Sequence, residues 1–167
     1  MTARLKGRRR QVDRLLGDLM AWAERRPAVA AVVLVGSYAR GGERMASDVD
    51  LVVLTSDPDG CSAGSGWFAG LRPGSRLVRQ QSWGPVEEQR YRLRSGLLVE
   101  VGVAAPSWAA VPLDAGTRRV LADGHRVLHD PRGTAGRAGA AAGPSSTGPA
   151  FQLPRDDARE RRATMGT

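Results

Sequence analysis

The sequence predicts an α+β domain followed by a structureless tail, and three observations carry that expectation. Apolar residues recur at helical spacing near the N-terminus. Short Val-rich runs and one alternating run farther on have the length and pattern of strands. After Pro131 the composition turns abruptly to Gly, Ala, Pro and Ser. With 167 residues the chain has room for one domain with a sizeable core.

From about Gln11 to Arg26, the residues Val12, Leu15, Leu16, Leu19, Met20 and Ala23 define one apolar helix face, and Pro27 ends it. Ala30 to Val35 reads as a buried strand, broken by Gly36-Ser37. Tyr38 to Arg40 begins a short helix that Gly41-Gly42 must end. Val49 to Leu54 is a second buried strand, closed by the turn-forming "TSDPDG". Residues 60–75 read as loop with one helical turn around Trp67-Phe68, and Arg76 to Val78 as a short strand. The segment "EEQRYRLRSGLLVEVGV" has two β-compatible arms around a Ser95-Gly96 turn. On its second arm Leu97, Val99, Val101 and Val103 face one way, and Leu98, Glu100 and Gly102 the other. Asp114 and Gly124 bracket a short helix as N-cap and C-terminal stop, and "HRVLHDP" closes the domain as a strand. Residues 133–167 have no periodic apolar face, cannot bury enough surface to offset ordering entropy, and are expected to be disordered.

The net charge of +8 is unevenly placed. Residues 1–14 carry +5, residues 135–167 carry +2, and the stretch between is close to neutral at +1. A basic arm over residues 1–10 is therefore expected to precede a domain spanning 11–132, with the tail at 133–167. Such an arm could touch nucleic acid or anionic lipid, although short basic runs more often serve solubility. The single cysteine, Cys61, excludes an intramolecular disulfide and a Cys-rich zinc site, which fits a reducing, cytoplasmic setting. No apolar run reaches the ~18 residues of a membrane span, and no apolar segment follows the basic start as a secretory signal requires.

The chemistry concentrates in "VVLVGSYARGGERMASDVDLVVL", Val32 to Leu54. Asp48 and Asp50, two apart on a strand, point to the same side. Glu100 is the one charge inside the apolar segment Leu97–Val103 and supplies a third carboxylate. Carboxylates at strand positions otherwise apolar are costly unless paired or metal-bound, so the trio asks for a cation. Gly36 lets backbone N–H groups approach an anion, and Ser37 can donate its hydroxyl. Arg40 and Arg44 are available for phosphate oxygens. Taken singly, Ser37 serves equally as a helix cap, Asp48 as a turn former and Glu100 as an edge charge.

"GSYARG", then "SDVDL", then the acid of "LLVEVGV" resemble the minimal nucleotidyltransferases of the DNA polymerase β-like superfamily, over about residues 10–130. The resemblance implies a small mixed β-sheet with helices packed on one face. It implies that Gly36 and Ser37 hold the phosphates of an NTP, with ATP the expected donor. It makes Asp48, Asp50 and Glu100 the catalytic set and the ligands of a two-metal Mg2+ site that Mn2+ can also fill. Glu100 is the third ligand or the base for the acceptor hydroxyl. The implied reaction moves a nucleoside monophosphate onto a hydroxyl acceptor, a small molecule, protein or RNA, and releases pyrophosphate. Relatives carry a helical acceptor-binding domain after this core. Here the Gly/Ala/Pro/Ser stretch stands there, so the acceptor binds elsewhere, a partner protein supplies the surface, or the end is truncated or frameshifted.

Two other classes of function stay open on the residues alone: a non-catalytic or partner-dependent nucleotide-binding module of antitoxin type, and a nucleic-acid binder acting through the basic arm. His125 and His129, four apart on a strand, are expected to be structural. Trp67, Trp83 and Trp108 are expected in core or loop packing rather than on a base. Asp57 and Asp59 flank Pro58 as turn residues, not ligands.

Overall fold

The computed structural model describes residues 1–143. Helix α1 spans Ala3–Glu24 and is capped by the Thr2 hydroxyl, which accepts from the Leu5 N–H at 3.2 Å. The helix thus starts eight residues before the expected Gln11, and the basic arm is its first turns. Val12, Leu15, Leu16, Leu19, Trp22 and Ala23 are the residues α1 buries. Arg9 does not stand free, because its guanidinium pairs with Glu43 in the loop after the second helix.

Strand β1 (Val29–Val35) runs directly into the five-residue helix α2 (Gly36–Arg40). Gly41 stops α2 in the left-handed conformation, at φ 71°. Strand β2 (Val49–Thr55) leads through short 3-10 turns to α3 (Trp67–Leu71). Then follow β3 (Arg76–Trp83), β4 (Val86–Arg92) and β5 (Leu98–Ala104), with the Ser95-Gly96 turn joining the last two as expected. The strand expected at Arg76 to Val78 is longer than its apolar residues suggest, because β3 is an edge strand with little buried on either side. Helix α4 (Ala115–Ala122) has Asp114 as its N-cap, accepting from the Thr117 N–H at 3.0 Å, and β6 (His125–His129) follows.

The six strands form one mixed sheet in the order β3-β4-β5-β2-β1-β6. Strands β2 and β5 are parallel, and every other neighbouring pair is antiparallel. This is the α+β class that the sequence predicts. The helices, however, cover both faces rather than one. Val32, Leu34, Val49, Leu51, Val53, Val99, Val101 and Val103 pack with α1 and α3 on one side. Ala31, Val33, Val52, Leu54 and Ala104 pack on the other with α4, α5 and the Pro106–Ala109 turn.

Helix α5 (Thr134–Ala142) corrects the start of the expected disordered tail. Its buried residues are Ala135, Ala138 and Ala142, a stripe of methyl groups that lets the helix approach the sheet closely. The absence of large apolar residues hid this face from a periodicity reading. The remainder of that expected tail, 144–167, lies outside the described residues. Among the described residues no helix is long and apolar enough to cross a membrane.

Candidate active site

Strand pairing brings the three predicted carboxylates to one end of one sheet face. Asp50 is directly opposite Glu100 in the parallel β2–β5 register, and Glu100 is directly opposite Arg90 in the antiparallel β4–β5 register. Residues opposite one another project to the same face, and so do residues two apart along a strand. Asp48, just before β2, therefore shares the face of Asp50 and Glu100. The intervening Val49, Val99 and Val101 point into the α1 core and are fully buried, which fixes the register: a one-residue slip would bury the acids.

Gly36 sits where β1 gives way to α2, with φ at 72°. A Cβ built there would collide with the Asp50 carboxylate oxygen Oδ2. Glycine is thus required twice, by the left-handed backbone and by the close approach of Asp50. The expectation that Gly36 opens space for phosphate misses this second role. Ser37 follows it, half-buried, at the start of α2. Arg40 faces another way: its guanidinium pairs with Asp123 at 2.6 Å and its side chain packs against Gly124, tying α2 to the α4–β6 turn. Arg44 is exposed in the loop between α2 and β2, where its N–H donates to the Ser47 hydroxyl at 2.8 Å. Of the two arginines expected to meet phosphate, one is therefore structural in this arrangement.

Burial and mutual repulsion set the protonation of the acids. Asp50 is pushed up from 3.8 to about 8, first by burial and then by Glu100 and Asp48, against the pull of Arg90. Glu100 is also raised, chiefly by burial, with Arg90 opposing. The two share a side-chain hydrogen bond, so one proton is held between carboxylates that cannot both ionise cheaply.

The cation that answers them, Arg90, does not stand out in the sequence. Arg90 pairs with Asp48 through its terminal nitrogen, and its Nε lies 3.2 Å from Glu100 Oε1. Arg79 lies 3.8 Å from the same oxygen and pairs with Glu88, which also accepts from Trp83 Nε1 at 3.1 Å. The signal for Arg90 was the alternation in "VEEQRYR", where Gln89 and Tyr91 are buried and Glu88, Arg90 and Arg92 share the opposite face.

Three carboxylates and no softer ligand make a donor set suited to Mg2+ or Mn2+. Asp50, raised first by burial and then by its acidic neighbours, is a carboxylate whose ionised form a divalent cation would favour. Among the described residues no three His, Cys, Asp or Glu side chains converge closely enough to enclose an ion, and Arg90 lies across Asp48 and Glu100 in that place. The residues fit the metal by chemistry and position along the sheet.

The remaining candidates fall outside this site. Trp67 is buried against Trp22, with ring centroids 5.0 Å apart, and donates to the buried Gln89 at 3.0 Å. Trp108 packs partly buried against the α5 core, and Trp83 anchors Glu88. His125 Nδ1 lies 2.9 Å from the Leu121 carbonyl, joining β6 to α4. Asp57 accepts from the Gly60 N–H at 3.2 Å, as a turn residue does. Burial pushes the Cys61 thiol up to about 11, which leaves it a poor nucleophile.

No curated protein matches the sequence significantly. Residues 19–102, half of the chain and the segment that carries Gly36, Ser37, Asp48, Asp50 and Glu100, match the nucleotidyltransferase domain family, whose activity is transfer of a nucleoside monophosphate from an NTP. The chain belongs to the nucleotidyltransferase domain family.

Proposed function

We propose that this protein transfers a nucleoside monophosphate from an NTP, with ATP the expected donor, to a hydroxyl acceptor, and that Asp48, Asp50 and Glu100 are the residues that make it possible. The observation that carries this reading is the direct Asp50–Glu100 pairing across β2 and β5, with Asp48 on the same face. In the reaction the acceptor oxygen forms a bond to the α-phosphorus, the bond from that phosphorus to the bridging oxygen breaks, and pyrophosphate leaves. The acceptor proton passes to a carboxylate, for which Glu100, beside Arg90, is the candidate. Two divalent cations held by Asp48, Asp50 and Glu100 would supply charge neutralisation of the phosphates and a lowered pKa for the acceptor hydroxyl.

The chain's own contributions are positional. Gly36 fixes the bend that brings the start of α2 beside Asp50, and the Ser37 hydroxyl and nearby backbone N–H groups are there to meet donor phosphate oxygens. Arg44, exposed on the adjacent loop, can reach the same oxygens. Arg90, once a cation takes its place on Asp48 and Glu100, can turn its guanidinium to the phosphates.

The test is incubation with α-labelled NTPs, Mg2+ and cell extract, with label then sought on protein, RNA or small molecules. Wild type should transfer label and Asp48→Asn should not. If wild type transfers nothing, and Asp48→Asn leaves nucleotide-dependent thermal stabilisation unchanged, the reading is wrong. A second reading, a non-catalytic or partner-dependent nucleotide-binding module, is favoured by the Arg90 contacts that already satisfy Asp48 and Glu100. It predicts nucleotide binding with no transfer to any acceptor. On either reading the domain proper runs from α1 through α5, and its placement in the cytoplasm is part of the proposal.

A further inference from the structure

The β3–β4 hairpin carries a row of arginines beside the carboxylates. Arg76 is opposite Arg92, and Arg79 is opposite Arg90. Arg90 and Arg92 are two apart on β4, so these two share one face. The register shift between Leu77 and Arg79 inserts one extra residue into β3, and it is this bulge that keeps both Arg76 and Arg79 on that same face. The face is also that of Glu100, since Arg90 is opposite Glu100 and Arg92 is opposite Leu98. The four arginines thus occupy a two-by-two set of backbone positions, on strands about 5 Å apart and about 7 Å apart along β4, adjoining Asp48, Asp50 and Glu100.

The array divides into an inner and an outer pair. The inner pair, Arg79 and Arg90, is half-buried and neutralised by Glu88, Asp48 and Glu100. The outer pair, Arg76 and Arg92, is exposed, and among the described residues neither has an ion pair. Helices α4 and α5 cover the opposite half of this face, over β1, β2 and β6, and leave the hairpin half open. When divalent cations neutralise Asp48 and Glu100, Arg90 loses its partners while Arg79 stays on Glu88, and the open shelf becomes more cationic.

We infer that this hairpin face is the acceptor surface and that it takes an acceptor bearing phosphate groups, with its hydroxyl at the carboxylates and its phosphates on Arg76, Arg92 and the inner pair. The inference rests on the reading of Asp48, Asp50 and Glu100 as the reacting end. Guanidinium forks match phosphate oxygens two at a time, and a cationic shelf turns away polyamine-like acceptors. Phosphates of a mononucleotide and of a nucleic-acid end share this chemistry.

The probe is a fluorescent single-stranded oligoribonucleotide, with binding read by anisotropy in Ca2+ across a salt series. Wild type should bind, and the exposed double variant Arg76→Ala/Arg92→Ala should weaken binding about tenfold and reduce the salt slope by about 1.4, as expected for two lost phosphate contacts on a single strand. Its melting temperature should match wild type, since neither side chain is packed. A second variant, Arg4→Gln/Lys6→Gln/Arg10→Gln on α1, should bind as wild type does. A nucleoside 5′-monophosphate that displaces the oligomer assigns a small acceptor, and failure of displacement assigns a nucleic-acid end. Unchanged binding in the hairpin variant, or loss of binding in the α1 variant, overturns the inference. An oligomer that binds with the expected dependence while Asp48→Asn retains full transfer would instead refute the catalytic reading.

Discussion

Where β2 and β5 begin, the two faces of the sheet are built from the same strands but carry opposite kinds of side chain. On the face toward α1, Val49, Leu51, Val53, Val99, Val101 and Val103 form a closed apolar layer. One residue over, on the other face, the same two strands present Asp50 and Glu100, and the neighbouring strand presents Arg90. Alternation with a period of two therefore separates the apolar layer from the charged cluster at this end of β2 and β5, while farther along the second face Val52, Leu54 and Ala104 are buried under α4, α5 and the Pro106–Ala109 turn. The buried layer also locks the register that sets Asp50 against Glu100, so the proposed catalytic pairing is a consequence of packing it does not join.

The largest expected effect is at Asp50, on the face that carries the acids. Asp50→Asn should lower transfer by at least about a hundredfold while leaving the melting temperature equal to or above that of wild type, because it removes a crowded carboxylate. A matching loss of stability would show that the acid is structural. Next is Gly36→Ala, which meets both a left-handed backbone and the Asp50 carboxylate. It should destabilise the fold by about 1–3 kcal/mol and depress activity together with stability, read by calorimetry and transfer assay.

The closed face should behave in reverse. Leu15→Ala, at a fully buried position on α1, should cost about 2–5 kcal/mol yet leave the transfer rate per folded molecule unchanged. Arg90→Gln tests the seam between the regions. Without divalent cation it should lose about 1 kcal/mol, and Mn2+ should raise its melting temperature more than that of wild type, because no guanidinium competes for Asp48 and Glu100.

The smallest effect is on pH dependence. The unfolded chain releases the Asp50 proton near 3.8, whereas the fold holds it to about 8, so the native state binds more protons between these values. The stabilisation from that proton is complete below the lower value and is lost as pH rises through the higher one. The metal-free protein should melt a few degrees lower at pH 8.5 than at pH 5.5, and Asp50→Asn should flatten this slope.

Much of this was legible in the sequence where one residue alone carries the signal. Asp48, Asp50 and Glu100 stand out as charges in apolar strands, and the alternation from Leu97 to Val103 gives their face. The helix caps at Thr117's partner Asp114 and at Gly41 follow from local chemistry. What escaped depends on partners distant in the chain. Arg90 is an ordinary arginine until β4 pairs with β5, and Arg40 looks available until Asp123, 83 residues away, is folded against it. Helix α5 escaped for a different reason: a face of alanines has almost no hydrophobic amplitude, and its burial depends on Ala30, Ala31 and Val33 already being in place. Strand β3 was underestimated because an edge strand buries little and so needs no apolar pattern.

On the proposed reading, strand register through Asp50 and Glu100 builds a divalent-cation site beside the uncovered β3–β4 half of the sheet. Calorimetric titration of Mn2+ in the presence of a non-hydrolysable ATP analogue, on wild type and on Glu100→Gln, tests it directly. Wild type should bind Mn2+, and Glu100→Gln should weaken binding at least about tenfold with the fold intact. Equal Mn2+ affinity in the two proteins would contradict it.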